Sequence, residues 1–415
     1  MSAGPAARRH PSTLAQVLVL GLTQTIAWAS TVYLVAIIAA PAGRALGLPE
    51  AAVFGAFSVA LGITALLGPA IGRAIDRSRG RNILVASNLV IAAGLALLAA
   101  APGAALLFVA WGVIGVGMAL GLYDAAFAIL VRLHGQAARA MITGVTLIAG
   151  FASTIGWPLS ALLNGHFGWR MTCLAWGAAH LALCLPLNLS VVPAPTGEAP
   201  RGETERDKNS GTAVTASAAP RAAHASGEFV LMALYFAATA FVTSAMAAHL
   251  PGLLLAAGAG AAAALGAAAL VGPAQVAARS VEYLAARRHR FHPLVTARIA
   301  TALHPIGGAL LWMMGGIPIG ASGFALLHGA GNGMTTIAKG TLPLAVFGET
   351  GYGRRVGLLN VLARAIQAAA PLAFGLVLER AGVHAALALS IGLSLAALLA
   401  LAGLRSRAAA GQQPS

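Results

Sequence analysis

Charge is scarce in this chain of 415 residues: Asp, Glu, Lys and Arg make up only 9% of it, and the acids number 11. A soluble domain carries about 25% charged residues, so an ordinary water-exposed fold is excluded. Cysteine is scarcer still. Cys173 and Cys184 lie eleven apart in one apolar run, which rules out a disulfide framework. On a helix they would share nearly one face and could hold a soft metalloid such as a trivalent arsenical, although apolar packing is the commoner role of such cysteines. Also missing are a HExxH metal motif, a nucleophile elbow, a phosphate-binding loop and a carboxylate-rich polar site. Neither an enzyme nor a bound cofactor is expected. Arg8-Arg9-His10 precedes an apolar stretch too long for a signal peptide, so that stretch reads as a first membrane span.

What the chain has in abundance is apolar sequence, 59% of residues. A bilayer-spanning helix needs roughly 20 such residues, and twelve runs qualify. They cover 14–40, 51–74, 82–101, 104–132, 140–163 and 169–192, then 228–250, 260–286, 293–315, 317–346, 356–378 and 383–404. Between the sixth and seventh, Pro193-Ala194-Pro195-Thr196-Gly197 opens a polar segment without periodicity, which predicts a flexible cytoplasmic linker over 193–227. The expected division is therefore a bundle at 1–192, the linker, and a second bundle at 228–415.

The halves echo each other. Leu67-Gly68-Pro69-Ala70 returns as Val271-Gly272-Pro273-Ala274, and a shift of 216 residues lays Gly117 on Gly333 and Arg139 on Arg355. The implied fold class is an all-α membrane protein of 12 transmembrane helices in two six-helix bundles related by a pseudo-twofold repeat. Glycines inside runs, among them Gly115, Gly117, Gly329 and Gly333, let helices approach closely in lipid.

The net charge of +15 invites a nucleic-acid reading, but its placement opposes one. Of the basic residues, Arg44, Arg170 and Arg380 fall in odd-to-even connections, and nearly all others fall on the opposite side. That asymmetry places both termini in the cytoplasm. With the Arg- and Ala-rich composition, it suggests a multi-pass protein of a bacterial inner membrane. A monomer is expected, with lipid, protons and a small molecule as its partners.

The turn after the second run reads Gly72-Arg73-Ala74-Ile75-Asp76-Arg77-Ser78-Arg79-Gly80-Arg81, and five of its ten residues are ionised. This resembles the loop 2-3 signature of the major facilitator superfamily of transporters. Gly72, Asp76 and Arg77 match, while Arg79 stands where the family has a second glycine, before Gly80 and Arg81. The resemblance implies that Gly72, Asp76, Arg77 and Arg81 control the conformational cycle of a secondary transporter. Gly144, Gly150 and Gly156-Trp157-Pro158 in the fifth run resemble the glycine-proline motif of the family's proton-driven antiporters, with Trp157 interrupting it.

Charges at membrane depth cost on the order of 3 kcal/mol each and therefore point to function. A carboxyl at the depth of Asp124 gains or loses its proton according to the cations around it, which makes it the candidate proton carrier. By the repeat Lys339 falls one position from Asp124, so the two are expected to pair across the cavity. Arg364 lies about nine residues into its run, roughly 13 Å at 1.5 Å per residue. A guanidinium there can bind a carboxylate in bidentate fashion, with Gln367 one turn on. Arg279 and Arg298 are expected nearer the interface, with Arg279 able to reach the inner mouth. His328 and Asn332 share a face, whereas His304-Pro305 suggests a kink. Gln24, Thr25, Trp28, Thr31 and Tyr33 form a polar and aromatic strip suited to a small ligand. The candidate substrate-binding set is thus Arg364, Lys339, His328, Asn332, Gln367, Tyr33 and Gln24. Excess cation favours an anionic solute, as in the monocarboxylate-transporter-like branch of the same superfamily, which this pattern resembles. An efflux antiporter for drugs or arsenite is the alternative.

Overall fold

Where lipid surrounds a segment, its backbone N–H and C=O groups must be satisfied within that segment, and an isolated apolar run can then only be a helix. The computed structural model describes residues 12–78, 80–135, 138–192, 227–288, 292–347 and 352–404, and among them there is no strand. Residues 193–226 of the expected linker, Arg77 and Asp76 as side chains, and the side chain of Arg139 lie outside the described part, while Gly227, expected to close the linker, already opens a helix.

Fifteen α-helices follow in order among the described residues. In the first half they are α1 (Thr13–Thr31), α2 (Val35–Leu46), α3 (Glu50–Ser78), α4 (Arg81–Ala99), α5 (Ala104–Gly121), α6 (Tyr123–His134), α7 (Ala138–Ala149), α8 (Ala152–Ala179) and α9 (Leu185–Val191), with a π-helical turn at His180–Cys184 before α9. The second half has α10 (Gly227–Ala256), α11 (Ala261–Ala269), α12 (Val271–Arg288), α13 (Pro293–Met314), α14 (Pro318–Phe347) and α15 (Tyr352–Gly403). Nine described stretches have the length and apolarity of a membrane span. Two of these, Ala140–Val191 and Leu358–Gly403, reach 52 and 46 residues. Each is broken once by a glycine with positive φ, Gly168 at 78° and Gly382 at 81°, near the boundaries expected from sequence. The tenth expected run is α14, a 30-residue helix outside the nine. Twelve spans is therefore a reading of these stretches, obtained by dividing the long ones at their glycines and adding α14.

Several runs are broken inside. The fourth divides at Leu122, whose ψ of −174° ends α5 and starts α6, so Asp124 sits in the first turn of a helix. Negative charge is favoured there. The basic turn is held by Gly80, at φ 78°, where a Cβ would collide with the side chain of Ile129 in α6. Only glycine fits both the left-handed backbone and that approach.

The cores follow the two halves. One cluster is built from residues 27–176, including Phe57, Ile91 and Trp111, with Ala248 its single buried contribution from the second half. Another, around Met232, Tyr235 and Leu401, is wholly from the second half. The halves meet chiefly where α3 packs on α15 and α8 on α11. Outward faces carry exposed Leu66, Met313 and Leu399, as lipid contact requires.

Candidate functional site

Between the halves lies a cavity of about 400 Å³. At the end near the basic turn its wall includes Gly72, Ile75, Asp124 and Arg364. At the other end it is closed. The rings of Phe54 and His249 lie 3.8 Å apart between centroids, with Phe374 5.3 Å from His249. His249 Nε2 donates to Pro371 O at 2.8 Å, and the Leu372 N–H donates to Ser58 Oγ at 3.2 Å. The latter bond ties α3 to α15 directly.

At the open end Arg364 Nη2 donates to Asp124 Oδ2 at 2.6 Å, the one ion pair among the described residues. It joins α15 to α6 and hence one half to the other. The expected Asp124–Lys339 pair does not form among the described residues; the Arg364 guanidinium takes Asp124 instead. Asp124 is not deeply buried either: its side chain is 64% exposed, at the cavity mouth. Arg364, expected to be free for a solute, already holds a carboxylate.

Two other cations line the cavity without an acidic partner among the described residues. Lys339 projects from α14 and makes no ion pair. Arg279, from α12, donates to Gly333 O at 3.4 Å, to Thr146 O of α7 at 3.2 Å and to Thr336 Oγ1 at 3.3 Å. All three acceptors are neutral. Helix α12 comes this close to α14 because Gly333 faces it, with a hypothetical Cβ only 2.6 Å from Gln275 O. Sequence placed Arg279 mainly at the interface, since a charge near the helix's end looks like part of the positive fringe. Its i−4 neighbour Gln275, another polar residue inside an apolar run and also in the wall, was the available signal.

The remaining candidates divide. His328, Asn332, Gln367 and Tyr33 line the cavity. Asn332 Oδ1 accepts from Thr243 Oγ1 at 3.2 Å, and Gln367 O accepts from Ser244 Oγ at 2.9 Å. His328 and His304, both buried, share a hydrogen between their Nδ1 atoms at 3.1 Å, so His304 is a partner of the site as well as a kink residue. Gln24 is not in the wall. Its Nε2 donates to Gly121 O at 2.6 Å, where it steadies the end of α5. Thr25 and Thr31 bond to their own helix. Gly72 is in the wall with open space around it, and Arg81 opens α4. Sequence missed Tyr123 as a wall residue and gave Trp157 no such place, although both line the cavity. Cys173 and Cys184 are buried away from it.

A helical chain with lipid-facing outer surfaces and a charged, aromatic cavity between two bundles is a multi-pass membrane carrier in class. The profile of the Major Facilitator Superfamily matches residues 18–338, and the chain belongs to that family. An uncharacterized 38 kDa protein in the 23S RNA operon of Thermoproteus tenax is 29% identical over 363 residues, 81% of this chain and 89% of that one. Monocarboxylate transporter 14 of Homo sapiens is 30% identical over 151 residues, 36% of this chain and 29% of the human protein. Among solved structures, a bacterial homolog of the human lysosomal transporter Spinster, in an inward-facing and occupied conformation, aligns with TM-score 0.64 at 17% identity, covering 93% of each chain. A point mutant of the nucleoside transporter NupG aligns with TM-score 0.67 at 13% identity, over 94% of this chain and 98% of that one. At such identities the likeness is one of fold.

Proposed function

We propose that this transporter is a proton-coupled carrier of a small organic anion, working by alternating access. The observation that carries the reading is the charge balance of the cavity. Asp124 neutralises Arg364, which leaves Lys339 and Arg279 with no acid among the described residues. Cations uncompensated in a low-dielectric cavity attract an anion. The three bonds of Arg279 are long, and a carboxylate would replace them by charge-assisted bonds of about 2.7–2.9 Å, roughly twice as strong. One of those bonds, to Thr146 O, crosses between the halves. Anion binding at Arg279 therefore competes with a contact that holds the halves together, which links occupancy to their rocking.

Asp124 and Arg364 supply the proton step. A proton on Asp124 removes the charge that holds Arg364, and the inter-half pair then weakens. The partial match to a human monocarboxylate transporter supports an organic acid as solute. The basic turn is taken to face the cytoplasm, so that the cavity opens inward in a bacterial inner membrane and the basic turn guards its mouth.

The test uses purified protein in liposomes that enclose a pH-sensitive dye. Small carboxylates, cationic drugs and arsenite are added outside in turn. Carboxylates are expected to acidify the interior faster than in protein-free liposomes. Lys339→Gln should lower that rate about tenfold or more, since a hydrogen bond to a charged group is worth about 1.5–3 kcal/mol. Proton movement driven only by the drugs or by arsenite would instead make the protein an efflux antiporter.

A further inference from the structure

We propose that the anion held by this cavity carries an aromatic ring, so that the solute class is an aryl-substituted carboxylate. This rests on the anion reading and adds to it a demand on the rest of the molecule. The cavity is two-sided. Arg279 and Lys339 both belong to the second half, on α12 and α14. Facing them from the first half is a connected series of five rings in the wall: Phe127, Tyr123, Trp28, Tyr33 and Trp157. Phe127 stacks on Tyr123 with centroids 5.0 Å apart and planes 14° apart, and Tyr123 lies 4.9 Å from Trp28. Trp28 lies 6.3 Å from Tyr33, and Tyr33 meets Trp157 edge-on at 5.0 Å. Aromatic rings attract one another at such separations, beyond the gain from burial alone. A sixth ring entering the cavity would extend the series.

Cation and rings line one and the same cavity, with Arg279, Tyr33 and Tyr123 all in its wall, so one ligand can meet both. Size points the same way. The cavity, of about 400 Å³, is many times the roughly 30 Å³ that one water takes up. A two- or three-carbon acid would leave most of that space wet and the rings uncovered.

The experiment is calorimetric titration of the purified full chain in detergent with propionate, cyclohexylacetate, phenylacetate and phenethylamine. Phenylacetate should bind at least about tenfold more tightly than propionate, from the added apolar surface. It should also bind roughly two- to tenfold more tightly than cyclohexylacetate, which has similar bulk but no aromatic face. Trp28→Leu should erase the second preference and Trp28→Phe should keep it. The ligand comparison on the unaltered protein stands even where a Trp28 variant folds poorly. Equal affinity for phenylacetate and cyclohexylacetate would overturn this inference and leave the anion reading intact. Absence of binding by all three acids, with or without binding of phenethylamine, would overturn both.

Discussion

Asp124 and Arg364 show why an ion pair can matter to a cycle while contributing little to a fold. Their side chains are 64% and 39% exposed, and a pair so solvated adds about 0–1 kcal/mol to stability. Asp124→Asn is therefore expected to shift the unfolding temperature by no more than about 2 °C. Its effect on transport should be selective: proton-driven accumulation is lost, while exchange of solute for solute across the membrane continues. Counterflow measured beside gradient-driven uptake checks this, and loss of both activities alike would remove Asp124 from the proton step. At this scale the sequence was a partial guide. It singled out Asp124, Lys339 and Arg364 because charges in apolar runs are conspicuous. It mispaired Asp124 because the partner depends on the rotation of α15 about its axis, and an apolar run with lipid on one side and a cavity on the other leaves that rotation unmarked.

Elements hold the site through close backbone contact rather than through polar bonds. Gly333 on α14 sits against the backbone of Gln275 on α12, and that approach carries Arg279 to Thr336 and Gly333. Gly333→Ala should force the helices apart, destabilising the protein by about 1–3 kcal/mol as overpacking does and weakening anion binding through displaced Arg279. Gly392, in α15, has open space where its Cβ would be. There the same change should be neutral or stabilising by up to about 1 kcal/mol, the ordinary helix preference for alanine. Thermal unfolding and anion titration of the two variants distinguish a packing contact from mere glycine content. The helices themselves were legible in the apolar runs, because length and lipid leave few alternatives. The break at Leu122 was not, since that run carries no proline there and the neighbouring helices decide where the backbone turns. Between α11 and α12 the signal was Pro273, which has no N–H to give the Ala269 carbonyl, an acceptor that Thr154 Oγ1 takes instead.

For the whole molecule, the asymmetry of its two ends defines the state that is seen. One end is joined across the halves by the solvated Asp124–Arg364 pair at the cavity mouth, and the other by aromatic packing around His249 and by the Leu372–Ser58 hydrogen bond between α15 and α3. If the halves rock about the cavity, α3 and α15 must separate at Ser58 in each cycle, and a covalent tie there should stop transport. Ser58→Cys with Leu372→Cys tests this, because the Leu372 N–H already reaches the Ser58 oxygen at 3.2 Å. The native Cys173 and Cys184 are buried and should not compete for an oxidant. Oxidation is expected to abolish uptake and a reductant to restore it, whereas anion binding from the open end should survive oxidation, since the cavity mouth lies at the far end of the molecule. Uptake that continued in the cross-linked protein would show that α3 and α15 stay together through the cycle, and the path for the solute would then have to open elsewhere, at the second inter-half contact between α8 and α11.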